Sequence, residues 1–214
     1  MENPILSFLK IIDRVASKIA PGLAPSFNEA HVVKLLELID HYGNIGRIRL
    51  SKELRLGEGT TRTLLKRLKN EGITQSSRSG ISFSEHGKKL FDEIRNKISN
   101  CIEVPSSPLT VGSCNIAVLI RNSAQVVGNG LEQRDIAIMS GATGATTLIF
   151  SNDMLSLPTG EENLSESMPE LHDELVNQFN PKENDVIIVG CGENRENAEM
   201  GTKMAAIKLL RTSI

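Results

Sequence analysis

Residues 46–94 read GRIRLSKELRLGEGTTRTLLKRLKNEGITQSSRSGISFSEHGKKLFDEI. Arg47 to Leu54 carries a helical pattern that closes at Leu56-Gly57, and a second helix opens at Gly59 and ends at Gly72. In that second helix Thr61, Leu64, Leu65 and Leu68 fall at helical spacing and face a core. Thr60 in the first turn and Arg62, Thr63, Lys66, Arg67 and Lys69 are left on the outer faces. Two short helices joined by a glycine turn are the arrangement in which a second helix reads the DNA major groove. The outer face here offers hydrogen-bond donors and positive charge.

After Gly72 the period changes. Ile73, Ile81 and Phe83 bracket the polar run Gln75-Ser76-Ser77-Arg78-Ser79-Gly80, which predicts a two-stranded hairpin with Arg78 near its tip. Ser84 caps a further helix whose apolar side is Leu90, Phe91, Ile94 and Ile98. Helix, turn, helix, hairpin and helix in that order make a winged helix-turn-helix. The expected contacts to double-stranded DNA are Thr60, Arg62, Thr63, Lys66, Arg67, Lys69 and Arg78.

The run Leu56-Gly57-Glu58-Gly59-Thr60-Thr61-Arg62, the ending Leu68-x-x-Glu71-Gly72-Ile73, and Ile81-Ser82-Phe83-Ser84-Glu85-His86-Gly87-Lys88-Lys89-Leu90 resemble prokaryotic winged-helix transcription regulators of the MarR and PadR type. Those families usually carry leucine-threonine-x-x-glycine where this chain has Phe83-Ser84-x-x-Gly87, a departure that keeps the turn and cap chemistry. The resemblance covers about the first hundred residues and implies a DNA-binding fold rather than a particular promoter. Taken whole, the chain also resembles an archaeal group in which a winged helix precedes a small α/β domain. That likeness implies no activity.

The 214 residues allow two small domains, and the charge divides between them. Residues 1–100 hold 17 Lys and Arg against 11 Asp and Glu, and the remainder holds 7 against 15, so a net of +6 faces a net of −8 within an overall −2. A basic front half suits a phosphate backbone, which would repel the acidic back half.

Ile5, Phe8, Leu9, Ile12, Val15, Ala16 and Ile19 form one stripe of an amphipathic helix ended by Pro21-Gly22. Such a helix either packs on its own domain or pairs with its copy in a homodimer. Asp13, Arg14 and Lys18 interrupt the apolar run, so no targeting signal is expected, and no stretch reaches the ~20 apolar residues of a membrane span. Ser26-Phe27-Asn28-Glu29 predicts a capping box for the next helix. Cys101, Cys114 and Cys191 are too dispersed for a disulfide framework or a zinc site, which points to a reducing cytoplasm. His31, His41, His86 and His172 read as surface or core residues rather than ligands.

A linker is expected over residues 101–110, where Pro105-Ser106-Ser107-Pro108 breaks the helical pattern. Residues 111–214 then predict strands at Cys114 to Ile120, Thr146 to Phe150, Met154 to Leu157 and Asp185 to Val189. Helices are predicted at Leu131 to Met139, Met168 to Phe179 and Asn194 to Leu210. That order implies a small α/β sandwich with a mixed sheet. Two glycine turns stand out: Ser140 to Thr147, with Gly141, Thr143, Gly144 and Thr146, and Gly190-Cys191-Gly192-Glu193-Asn194, followed by Arg195. Either they are tight connections, or they present backbone amides to a small anionic or polar effector, with Arg134 and Arg195 as partners and Asp135 or Glu193 as orienters.

The sequence therefore predicts a cytoplasmic, homodimeric DNA-binding transcription regulator with an α/β effector or oligomerisation domain, no cofactor and no catalytic or metal-binding residues. The alternative is an enzyme of small-metabolite or cofactor metabolism carrying a regulatory winged helix, against which stands the lack of a paired acid and base, a nucleophile constellation or a metal set. In a third reading the second domain is purely structural and the winged helix makes protein contacts.

Overall fold

The computed structural model describes residues 3–17, 25–160 and 163–214, and the chain divides into two compact units, residues 1–94 and 95–214. Ile19 and Pro21-Gly22 of the expected first-helix stripe lie outside the described residues.

The first unit is a helical region with one hairpin. Its helices are α1 (Pro4–Ala16), α2 (Glu29–Tyr42), α3 (Arg47–Glu53), α4 (Glu58–Asn70) and α5 (Glu85–Arg95), with strands β1 (Thr74–Ser77) and β2 (Gly80–Phe83) paired antiparallel between the last two helices. The cap of α2 is Asn28 rather than Ser26. Its carboxamide oxygen accepts from the His31 amide at 3.2 Å, and the Asn28 amide donates back to His31 Nδ1 at 3.3 Å. Ser84 caps α5 as expected, accepting from the Gly87 amide at 2.9 Å. Gly87 is needed there because a Cβ would stand 2.0 Å from the Ile73 carbonyl oxygen.

The apolar stripe of α1 packs on its own unit. Phe8, Leu9, Ile11, Ile12 and Val15 are buried, with Ile5 half-buried, and α1 lies against α2 and α4. Burying those side chains removes their apolar surface from water without a second copy, so the stripe Ile5, Phe8, Leu9, Ile12 is not a free dimer seam. The Arg14 guanidinium closes on the Glu71 carboxylate, with Nε 3.1 Å from both oxygens and Nη2 2.6 Å from Oε2. This fixes the helix further.

The second unit begins earlier than the expected boundary. Helix α5 stops at Arg95, and Ile98 pairs with Ile120 of the second unit instead of continuing the helix. The stretch read as a linker, 101–110, contains strand β3 (Ile102–Val104), paired antiparallel with β4 (Cys114–Ile120). The two prolines mask it in sequence, but Val104 is buried in the core and the strand forms the sheet edge.

Helix α6 (Leu131–Met139) follows, then strands β5 (Gly144–Ser151) and β6 (Met154–Ser156), helices α7 (Leu164–Ser167) and α8 (Pro169–Phe179), strand β7 (Val186–Gly192) and helix α9 (Arg195–Thr212). The sheet order is β3-β4-β7-β5-β6, and every pairing is antiparallel. The sheet is not mixed, and the unit is α+β. The helix between β4 and β5 suggested adjacent parallel strands. Those two strands do run parallel, but β7 lies between them and opposes both.

Every residue of β7 is buried, because both faces of the sheet are covered. Ala117, Leu119, Leu148, Ile187 and Val189 face a core completed by α7 and α8. The alternate face meets α6 and α9, with Gly190 under α9: a Cβ on Gly190 would stand 2.1 Å from Thr202 Oγ1. Among the described residues no helix is long and apolar enough to cross a membrane.

The same substitution is expected to act with opposite sign in the two units. Gly190→Ala overpacks the contact with Thr202 and should destabilise by roughly 1–3 kcal/mol. Gly59→Ala, in a helix with nothing within 4 Å of the new methyl group, should stabilise by about 0.5–1 kcal/mol. Denaturant midpoints of the two variants check both signs.

Candidate nucleic-acid interface

Helix α4 buries one side and exposes the other. Thr61, Leu64, Leu65 and Leu68 are its buried residues. Arg62, Lys66 and Lys69, at i, i+4 and i+7, share the exposed stripe beside them. The hairpin is anchored by a bridge in which the Ile45 amide donates to the Ile81 carbonyl at 3.0 Å and the Ile81 amide to the Ile45 carbonyl at 2.9 Å. Because α3 starts two residues after Ile45, the bridge sets Arg47 beside the hairpin. Arg47, Arg62, Lys66 and Lys69 thus converge with Ser76 and Ile81 on a cleft of about 410 Å³ between α4 and the hairpin.

The pairing of charges separates this cleft from the rest of the unit. Among the described residues, Arg47, Arg62, Lys66 and Lys69 make no ion pair. Other cations of the unit are engaged: Arg14 with Glu71, Arg49 with Glu53, Lys89 with Glu85, and Lys88 with both Asp40 and Asp92. The hydrogen bonds to Asp40 and then Asp92 raise the pKa of Lys88 above its ordinary value. A hollow of about 440 Å³ lined in part by Ile39, Phe83, Lys88 and Lys89 is accordingly compensated by carboxylates. The cleft beside α4 is not, and no acidic side chain lines it.

Of the residues expected from sequence, Arg62, Lys66 and Lys69 line the cleft, and Arg78 is exposed in the turn between β1 and β2, where Ser77 Oγ ties the turn to Gly80. Thr63 is exposed but its hydroxyl donates to the Gly59 carbonyl at 3.0 Å, and Thr60 is half-buried in the first turn of α4. Arg67 is elsewhere. Its Nη1 donates to the carbonyls of Val15 at 2.7 Å and Ser17 at 2.6 Å, and its guanidinium lies 5.4 Å over the Phe27 ring. It serves as the clamp that closes the end of α1. Arg47 was not singled out from sequence, since only the Ile45–Ile81 bridge brings it to the cleft.

Of the residues expected to hold an effector, Gly144, Gly190 and Gly192 are closed by packing in the second unit, while Gly141, Thr143 and Arg195 are exposed. Gly192 is inside β7, where a Cβ would stand 2.5 Å from the Ala198 amide, and Gly190 is closed by Thr202 in the same way. A Cβ on Gly144 would meet Val111 Cγ2 at 2.9 Å, and Thr146 Oγ1 donates to the Leu109 carbonyl at 2.8 Å. The Thr143 amide donates to the Cys191 carbonyl at 2.8 Å, while Gly141 takes a positive φ of 98° at the end of α6. Arg195 pairs with Glu103 at 3.1 Å and Arg134 with Asp135 at 3.0 Å. The start of α9 is capped by Asn194, whose side chain accepts from the Asn197 amide. Glu193 is exposed, and its carbonyl accepts a hydrogen bond from Ser113 Oγ at 2.9 Å.

Residues 35–89 match the family described as the PH0730-like N-terminal domain, and residues 111–209 match a domain of unknown function, DUF4443. Among solved structures the chain is similar to the hypothetical protein PH0730 from Pyrococcus horikoshii OT3. The TM-score is 0.68 and the identity 24%, across 88% of this chain and 93% of that one. No curated protein matches. The likeness extends over both units and is one of fold.

Clamp and cleft should respond differently to truncation. Arg67→Ala removes charge-assisted hydrogen bonds to two carbonyls and should cost about 1.5–3 kcal/mol of stability. Lys66→Ala should stay within about 0.5 kcal/mol of the parent. Urea unfolding monitored by circular dichroism distinguishes the two.

Proposed function

We propose that the first unit is a winged helix-turn-helix that binds duplex DNA, and that the protein regulates transcription. The observation that carries this reading is the set of four unpaired cations, Arg47, Arg62, Lys66 and Lys69, around one cleft of a unit whose other basic side chains are largely engaged. Cations without carboxylate partners leave their charge available to phosphates, and neutralising phosphates releases condensed counterions. Helix α4 enters the major groove, where Arg62 is placed to read a guanine edge, and the hairpin with Arg78 follows the adjacent backbone.

The protein acts as a dimer reading two half-sites about one helical turn apart. With the stripe of α1 buried in its own unit, pairing falls to the second unit, whose α6 exposes Leu131, Ile138 and Met139. The second unit is then an oligomerisation body. Its Gly144, Gly190 and Gly192 are occupied by packing, which favours this role over effector binding at those positions.

Binding should be salt-dependent, and replacing Lys66 or Lys69 with Ala should weaken it for all sequences and reduce the salt slope by about 1 per contact. Arg62→Ala should cost on the order of 1–3 kcal/mol at the preferred site and relax its specificity. Fluorescence anisotropy with genomic DNA fragments over a salt series measures both. Undiminished binding by the variant lacking all four cations would contradict the reading, as would absence of salt-dependent binding by the full chain.

A further inference from the structure

Cys101 stands immediately before the edge strand β3, and Lys203 lies in the middle of α9. Lys203 Nζ donates to Cys101 Sγ at 3.2 Å and stands 3.4 Å from Glu199 Oε1, one helical turn earlier. The lysine side chain is 3% exposed, whereas Cys101 is half-buried and so within reach of small molecules in solvent. Moving an ammonium out of water is costly unless anions compensate it, and here a carboxylate and a sulfur atom do so together. An ammonium in contact with a thiol also favours the thiolate, the reactive form of cysteine. Neither of the other two cysteines has this setting. Cys191 is fully buried in β7 and burial pushes its thiol pKa up, so it stays protonated. Cys114 is half-buried at the start of β4 with no lysine contact among the described residues.

We propose that Cys101 and Lys203 form an oxidant-responsive pair, in which hydrogen peroxide oxidises the Cys101 sulfur and the Lys203 amine traps the product as a covalent sulfur–nitrogen link. The Cys101 thiolate attacks one peroxide oxygen: the S–O bond forms, the O–O bond breaks, and the electron pair leaves with hydroxide. The Lys203 ammonium gives that hydroxide its proton, releasing water and leaving a neutral amine 3.2 Å from the new sulfenic acid's sulfur. The amine nitrogen then attacks sulfur, the S–O bond breaks, and the hydroxyl departs with an amine proton as a second water. Sulfur loses two electrons and peroxide gains them. The sum is thiolate plus ammonium plus hydrogen peroxide giving a sulfenamide and two waters; in reversal, one added thiol attacks the sulfur, which releases the amine and leaves a mixed disulfide, and a second thiol frees the Cys101 thiol as the added thiols leave as their disulfide. The link would fasten the start of the edge strand to α9, closing a chain separation of 102 residues. It does not depend on DNA binding.

The test uses the reduced, full-length protein exposed to graded hydrogen peroxide at neutral pH, followed by chymotryptic peptide mapping. The expected product joins the peptides of Cys101 and Lys203, is lighter than their reduced sum by two hydrogen atoms, and reverts with dithiothreitol. At the same dose Cys114 and Cys191 should remain reduced. In Lys203→Arg the charge is kept and the trapping amine is lost, so a 1,3-diketone probe should label sulfenic acid on Cys101 with no cross-link. The proposal is overturned if Cys101 of the parent protein oxidises no faster than Cys114, or if its oxidation yields no link to Lys203. Both readings come from the parent, so they hold whether or not the variant folds.

Discussion

One guanidinium holds the first unit in its working shape. Arg67 reaches from the side of α4 to the carbonyls of Val15 and Ser17 at the end of α1, where a helix leaves carbonyls in need of partners. A cation at a helix C-terminus is favoured by the helix dipole as well as by these hydrogen bonds. With the ion pair between Arg14 and Glu71 just beyond α4, the clamp ties α1 to the side of the helix it supports. Arg62, Lys66 and Lys69 stay exposed on the other side of α4, along the cleft to the hairpin.

Charge is distributed with the same division of labour. Exposed ion pairs contribute little to stability, so their value here is in what they cancel. Lys88, Lys89, Arg14 and Arg49 are each matched with a carboxylate, whereas Arg47, Arg62, Lys66 and Lys69 have no carboxylate partner among the described residues, which gathers positive charge at the cleft. The acidic second unit is organised around apolar and small residues instead. Strand β7 is buried on both faces, and Gly190 and Gly192 bring α9 so close to it that the sheet and helix form one solid layer pair.

Local pattern made most elements legible in the sequence, while features that depend on distant partners were hidden. The change of period after Gly72 located the hairpin, and the runs Cys114 to Ile120 and Asp185 to Val189 located the two central strands. Strand direction carries no local signal, so the insertion of β7 between β4 and β5 was out of reach. The amphipathic period of α1 showed that it needed a partner, but its buried face is the same whether that partner is its own unit or a second copy. Arg67 follows Lys66 by one residue, and helical spacing alone puts it with the outer face. Its long side chain reaches sideways to carbonyls some fifty positions away, which spacing on one helix does not reveal. The glycine turns resembled openings because a sequence shows where a side chain is missing and not what fills the space.

The proposed DNA-contacting face is α4 and the hairpin with Arg47. Two-dimensional amide and guanidinium NMR of the labelled full chain during titration with duplex DNA tests that proposal most directly. Shifts and line broadening are expected to gather on α4, on the hairpin and at Arg47, with the Arg62 guanidinium changing and that of Arg67 unchanged. Perturbations centred on α1, α5 or the second unit, with the cleft silent at saturating DNA, would contradict it.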